Sequence, residues 1–341
     1  MNGPDMRGYA SDSSGFALCR RVFIVSILAT ASGLMALPAA AQSFPSKPIR
    51  IVIPYGPGSS VDLVPRLISE RLTVELGQPV IVENRPGGMG IPAINEVLGK
   101  PADGYTILAA DTSMWVTVPA LQTVNYNFLQ DFTPLTREFT GPVALTVPAS
   151  SPIKSVSDLI AAAKAKPGEL NYSSVGVGNL AHLAVESLAK STGVKFTLIP
   201  YKSGGEIVEA LLKGDAQFCF LGVAAAGPMA KAGKVRILAV SSKTRFPTMP
   251  DVPTIAEVTG LSDFNWVAEA GFVVRSGTPK PVIDKLVAAL NKVMSQPDLA
   301  ARAMEGAVEL VPGTPDQFMG VIRDEIKKVT EALDYIGLKR Q

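Results

Sequence analysis

The chain is 341 residues long, 47% apolar and 18% charged, with 32 Lys plus Arg against 30 Asp plus Glu. That length exceeds what one hydrophobic core organises, so two globular domains are expected, and the apolar fraction excludes a disordered chain. A net charge of +2 without a basic run offers no footprint for nucleic acid; one His and two Cys remove most metal sites and most His-based catalysis.

The first forty residues have the pattern of an export signal. Arg20-Arg21 precede an apolar stretch from Val22 to Leu37, and Pro38-Ala39-Ala40-Ala41-Gln42 follows. A positive start, an apolar middle too short to stay in a membrane and an Ala-x-Ala end describe a cleaved leader, residues 1–41. Gly33 and Pro38 argue against a membrane anchor. The chain then keeps one cysteine, Cys219, within the apolar run Phe218-Cys219-Phe220-Leu221, so no disulfide framework is available. Cys219 reads as an inert buried thiol, because nothing near it in sequence would lower its pKa.

Beyond the leader, strands and helices alternate. Ile49–Pro54 is a β-branched run of strand length. After Tyr55–Ser60, apolar residues at Val61, Val64, Ile68, Leu72 and Leu76 form one helical stripe, which Gly77 closes. Pro65 is tolerable if that helix starts near Asp62, where its missing N–H is an orphan anyway. A strand at 80–83, a Gly-rich turn at 86–90, a helix to about Lys100 and a strand at 105–110 follow. A second series opens with a strand at 143–147. Helices are expected at 157–166, 180–190 and 205–213, and strands at 170–175, 196–201, 216–221 and 235–241. The tail from Pro281 is mostly amphipathic helix. Continuous apolar strands alternating with helices predict two doubly wound α/β lobes.

Several catalytic patterns are missing. There is no Gly-x-Ser-x-Gly elbow, no phosphate loop ending Gly-Lys-Ser/Thr, and no Cys/His set at metal spacing. Gly176-Val177-Gly178-Asn179-Leu180-Ala181 imitates a dinucleotide fingerprint, but no acidic residue stands about twenty positions on to hold a ribose. No cofactor is expected. His182 shares an apolar helical spacing with Val185 and Ala189 and reads first as a packed or capping histidine. The glycine loops remain: Tyr55–Ser60, Asp111-Thr112-Ser113 and Gly176–Asn179 each follow a predicted strand. Loops at the carboxyl ends of parallel strands face the ligand crevice of open α/β sheets, and free N–H groups at helix starts favour an anion. Each loop alone is an ordinary capped connection. Together, three of them point to a carboxylate pocket between lobes.

Longer stretches carry a family resemblance. Phe44-Pro45-Ser46-Lys47-Pro48-Ile49-Arg50 and Pro54-Tyr55-Gly56-Pro57-Gly58-Ser59-Ser60-Val61-Asp62 resemble the start of the Bug proteins, periplasmic receptors of tripartite tricarboxylate transporters. The likeness continues through Gly77-Gln78-Pro79-Val80, Pro101-Ala102-Asp103-Gly104-Tyr105, Pro200-Tyr201-Lys202-Ser203-Gly204 and Pro250-Asp251-Val252-Pro253-Thr254. It implies a type II periplasmic-binding-protein fold, with lobe 1 formed by 42–140 plus 268–341 and lobe 2 by 141–267. It further implies a monomer in the periplasm that holds a small carboxylate through backbone N–H groups, hydroxyls and water. The partner is then a set of membrane permease subunits, or a sensor kinase, and the chain is no enzyme.

By position, the resemblance assigns ligand binding to Tyr55, Gly58, Ser59, Ser60, Thr112, Ser113, Gly176, Asn179, His182, Tyr201, Val223 and Ala224. Hinges are expected near Arg137–Pro142 and Ala268–Phe272, where a two-lobe fold must cross. Departures from the family pattern include Ser59-Ser60-Val61-Asp62 in the first loop, where a second Gly and a Thr or Ser are usual, and Gln217, where an Asp is common; in the second lobe Leu180 cannot donate a hydrogen bond, and Val223-Ala224-Ala225-Ala226 is bland. These point to a monocarboxylate or a partly apolar acid. The alternative is an exported α/β hydrolase using Ser113 or Ser59 with His182.

Overall fold

The computed structural model describes residue 1 and residues 44–338, so the leader expected at 1–41 lies outside the described residues. From Pro45 onward the chain forms one compact unit. Its first half opens with β1 (Ile49–Ile53), α1 (Ser60–Leu76), β2 (Val80–Asn84), α2 (Ile91–Leu98) and β3 (Thr106–Asp111). A π-helical turn at Ser113–Thr117 leads through α3 (Val118–Leu121) and α4 (Phe128–Asp131) into β4 (Phe132–Pro148). Then come α5 (Val156–Ala165), β5 (Asn171–Ser174), α6 (Leu180–Thr192), β6 (Thr197–Pro200), α7 (Gly204–Lys213), β7 (Phe218–Gly222), α8 (Val223–Lys231) and β8 (Val235–Val240). The chain ends with α9 (Ile255–Thr259), β9 (Val267–Arg275), α10 (Lys280–Met294), α11 (Pro297–Glu305), β10 (Glu309–Leu310) and α12 (Pro315–Tyr335).

The strands form two sheets that share β4. In the first, β1 lies between β2 and β3, parallel to both, while β9 runs antiparallel between β3 and β4. In the second, β5 lies between β6 and β7, parallel to both, and β7 and β8 flank the end of β4 antiparallel to it. Residues 132–142 of β4 pair with β9, and residues 143–148 pair in the second sheet, so one strand threads both. The expected strand began only at Val143. Pro134, Pro142 and the polar residues between them hid its first half, and register shifts at Pro134/Thr136 and Arg137/Phe139 show how the sheet absorbs them.

Helix α1 also departs from expectation. It starts at Ser60, two residues early, which places Pro65 past the first turn. The helix therefore forgoes the bond that an N–H there would give to the Val61 carbonyl. Its Val61, Val64, Ile68, Leu72 and Leu76 face inward as the spacing predicts, and Gly77 closes it in the left-handed conformation. The single cysteine, Cys219, is buried, and burial pushes its thiol up to about 12. Among the described residues, no helix is long and apolar enough to cross a membrane.

Helix α12 packs on the crossing strands through a close approach. A Cβ at Gly271 would lie 2.2, 2.4 and 2.9 Å from ring atoms of the fully buried Phe318. Phe318 is held in turn by Trp115, edge-on at 5.7 Å. Gly271→Val is therefore expected to cost about 1–3 kcal/mol by overpacking. Thermal unfolding checks it; a variant that melts with the wild type would mean that the ring has room to move.

Candidate functional site

A cavity of about 330 Å³ opens where the loops after β1 and β3 face the start of α6. Tyr55, Ser59, Ser60, Thr112 and Ser113 line it from the first sheet, and Asn179 and Leu180 from the second. Phe139 and residues 266–269 line it where β4 and β9 run together, and Glu325 and Val329 come from α12.

The loop after β1 is organised by one carboxylate. Asp62 is buried, and accepts from the Gly58 N–H at 2.8 Å, Asn84 Nδ2 at 2.8 Å and Arg66 Nε at 2.9 Å. Asn84 Nδ2 also donates to the Tyr55 carbonyl at 2.8 Å, tying both ends of the loop to β2. Ser59 precedes α1 but its side chain does not cap the helix, and its buried Oγ has no partner. The first N–H groups of a helix have no intrahelical acceptor and carry the positive end of its dipole. Thr112 Oγ1 is likewise buried and unpartnered. This wall offers two unspent hydroxyls beside an uncapped 17-residue helix.

The opposite loop is spent on itself. Asn179 Oδ1 accepts from the His182 N–H at 3.2 Å, and Asn179 Nδ2 donates to Ser174 Oγ at 2.7 Å and to the Gly176 carbonyl. Gly178 has φ +83° and lies so near α3 that a Cβ would meet Leu121 at 2.7 Å, so only glycine fits there.

Tyr55 Oη donates to Asp111 at 2.6 Å, and the Ser113 N–H donates to the same carboxylate at 3.1 Å. Surrounding protein pushes Asp111 up to about 6, although the residue keeps partial exposure to the cavity. Burial also raises the Tyr55 phenol, aided by the Asp111 charge, and so keeps it a donor. Near the crossing, Arg137 donates to both oxygens of Glu269 at 2.9 and 2.7 Å. Lys328 pairs with Glu325 Oε1 and donates to the Asn265 carbonyl at 2.8 Å. Burial raises both Glu269 and Glu325, against the pull of those cations.

The structure brings together Tyr55, Ser59, Ser60, Thr112, Ser113 and Asn179 around the cavity, and leaves the other six expected residues off its wall. Gly58 and Gly176 shape their loops without lining it. His182 is buried; its Nδ1 accepts the Gly178 N–H at 3.0 Å, which puts the ring proton on Nε2, and its ring stacks on Tyr172. Burial lowers its pKa, keeping it neutral. The plainer reading of His182 as a packed residue is the one observed, and the hydrolase alternative loses its base. Tyr201 packs against an apolar cluster around Leu221 and Val223. Val223 and Ala224 line a second cavity, of about 750 Å³, with Met249 and Met304. They belong there because α8 starts at Val223 directly after β7, leaving no loop to reach the first cavity. Sequence reasoning missed Phe139, Trp266, Glu269, Glu325 and Val329, which only tertiary packing delivers. The spacing of Glu325 and Val329 on one helical face was the sole signal. Among the described residues, no group of His, Cys, Asp and Glu could hold a metal ion.

Two α/β sheets joined through β4, with a cavity where their loops meet, have the architecture of the type II periplasmic binding proteins. The chain belongs to the TctC family, the tripartite tricarboxylate transporter family receptors, whose profile matches residues 64–338. It is 32% identical to protein BugT of Bordetella pertussis over 329 residues, which cover 94% of this chain and 99% of BugT. Rpa4515 of R. palustris, solved with adipate, is similar at TM-score 0.75 and 29% identity over 87% of this chain and 100% of that one. The periplasmic binding protein BugD matches at TM-score 0.70 and 26% identity over 87% of this chain and 100% of its own. MatC of Rhodopseudomonas palustris with bound malate matches at 0.69 and 27% identity over 85% and 100%.

Proposed function

We propose that this chain captures a small carboxylate in the periplasm and passes it intact to the membrane permease subunits of a tripartite transporter. The observation that carries the reading is the pair of buried, unpartnered hydroxyls, Ser59 Oγ and Thr112 Oγ1, beside the uncapped start of α1. An isolated hydroxyl in a protein interior is costly, and an ionised acceptor satisfies it best. The adipate and malate held by two related structures are carboxylates of suitable size. Tyr55, Ser59, Ser60, Thr112, Ser113 and Asn179 form the binding wall in this reading. Residues 1–41 act as the export leader, and lobes 42–140 plus 268–341 and 141–267 close over the ligand about the crossing of β4 and β9. Delivery to a sensor kinase is the variant in which the same closed form is read by another partner.

A calorimetric and thermal-shift panel of carboxylic acids on the mature protein tests this. One acid is expected to raise the melting temperature by mass action and to be recovered chemically unchanged. Thr112→Val should weaken that acid about tenfold or more, the effect of losing one hydrogen bond to a charged group. Full retention of affinity, or turnover of the bound acid, would end the proposal.

A further inference from the structure

The hydroxyl wall accounts for one part of the cavity, whereas β9 and α12 bring the opposite chemistry. Among its lining residues there is no Lys or Arg, yet three carboxylates are present: Asp111, Glu269 and Glu325. Two of them are fully engaged. Asp111 accepts from Tyr55 Oη and the Ser113 N–H, and Glu269 from Arg137 and Thr140. Glu325 is only half engaged: Lys328 holds Oε1, while Oε2 is buried without a partner in a residue 6% exposed. Lys328 reaches only one of the two oxygens; it also serves the Asn265 carbonyl and lies 4.8 Å from the centre of the Trp266 ring. Trp266 and Phe139 supply aromatic surface to the same cavity.

From this juxtaposition we propose that the part of the cavity formed by Glu325, Glu269 and Trp266 receives a protonated nitrogen, so that the ligand is a small zwitterion: a monocarboxylate bearing an ammonium group. The inference rests on the carboxylate reading above and names its substrate class. A second carboxylate there would meet the unpartnered Glu325 Oε2, while Arg137 and Lys328 are already committed to Glu269 and to Glu325 Oε1. An ammonium instead satisfies Glu325 Oε2 with a charge-assisted bond and sits favourably against aromatic faces. The carbons between the two ends would meet the apolar side chains of Leu180, Leu183 and Val329.

The test compares straight-chain acids of matched length, about four to eight carbons, by calorimetry on the mature wild-type protein. Each length is offered as the plain acid, the ω-hydroxy acid, the ω-amino acid and the dicarboxylate. At the best length the ω-amino acid is expected to bind at least about tenfold more tightly than each of the others, the worth of one charge-assisted bond. In Glu325→Gln that advantage over the plain acid should shrink to under about twofold. A dicarboxylate that matches or beats the amino acid overturns the inference and leaves the carboxylate reading standing, as does equal binding by the hydroxy acid. If no acid in any form binds, the carboxylate reading itself fails and takes the inference with it. The wild-type ranking is decisive even if the variant folds poorly.

Discussion

Replacing Asp62 with Ala is expected to remove ligand binding, lowering affinity by about 100-fold or more, while the protein still folds. Asp62 does not line the cavity; it acts through the loop that does. Its two oxygens collect the Gly58 N–H, Asn84 Nδ2 and Arg66 Nε, and Asn84 passes the constraint on to Tyr55. Without the carboxylate, the chain from Tyr55 to Ser60 loses its register over the start of α1, so the uncapped N–H groups and Ser59 Oγ no longer share a target. Positional errors of about 1 Å suffice to lose most of a polar contact's worth. The stability cost should be smaller, about 1–3 kcal/mol, because Arg66 is close to half exposed and water can take over its donor. Burial opposes the Asp62 charge, but bonds from Arg66, Gly58 and Asn84 outweigh it and hold the carboxyl below its usual range. A depressed folded value means that its stabilising contribution is complete above the ordinary carboxylate range and fades as pH falls through the folded value. Calorimetry with a bound acid, beside circular dichroism, reads both effects. An Asp62→Ala protein that binds like the wild type would show that the loop keeps its shape unaided.

Much of this arrangement was legible because local rules and tertiary needs agree. The run Ile49–Ile53 is apolar except for Arg50, which Glu83 and Glu96 hold, and the stripe on α1 ends at Gly77 as left-handed closure requires. The loops after β1, after β3 and before α6 were visible as glycine and hydroxyl residues following strands, and all three reach the cavity. Two things were not legible. The first half of β4 carries two prolines, and its pairing with β9 lies about 130 residues away in sequence, beyond any local period. The carboxylate side of the cavity was hidden for the same reason: nothing local to Glu269 or Glu325 shows that folding buries them beside Arg137 and Lys328. Val223 and Ala224 lie off the wall of the first cavity and on that of the second, in a helix that starts directly after β7.

Glu138→Met is expected to stabilise the ligand-free protein at pH 7.5 by about 1–3 kcal/mol, the size of an unsatisfied buried polar group removed by an apolar one of similar volume. Glu138 stands in β4 where the strand bulges between Arg137 and Phe139, with no exposed surface and no partner for either oxygen. Burial drives its carboxyl well above the ordinary range, and the charges of Asp111 and Asp62 push the same way. The sign of the pH effect follows. With the folded value raised, the native state keeps a proton that the unfolded chain releases above about pH 4.3, so stability falls as pH rises through that window. Asp111, Glu269 and Glu325 are raised too and act in the same direction. His182, whose value burial lowers, acts the other way, but it is one group against four, so the wild-type protein should melt at higher temperature at pH 5.5 than at pH 7.5, and Glu138→Met should flatten that slope. Glu138→Gln separates the two causes: it removes the titration but keeps an unpartnered polar group, so it should flatten the slope with less gain at pH 7.5. If Glu138→Met were less stable than the wild type at pH 7.5, the carboxyl would have to be making a contact worth more than its burial costs, and the electrostatics of this part of β4 would need to be rebuilt around an ionised Glu138.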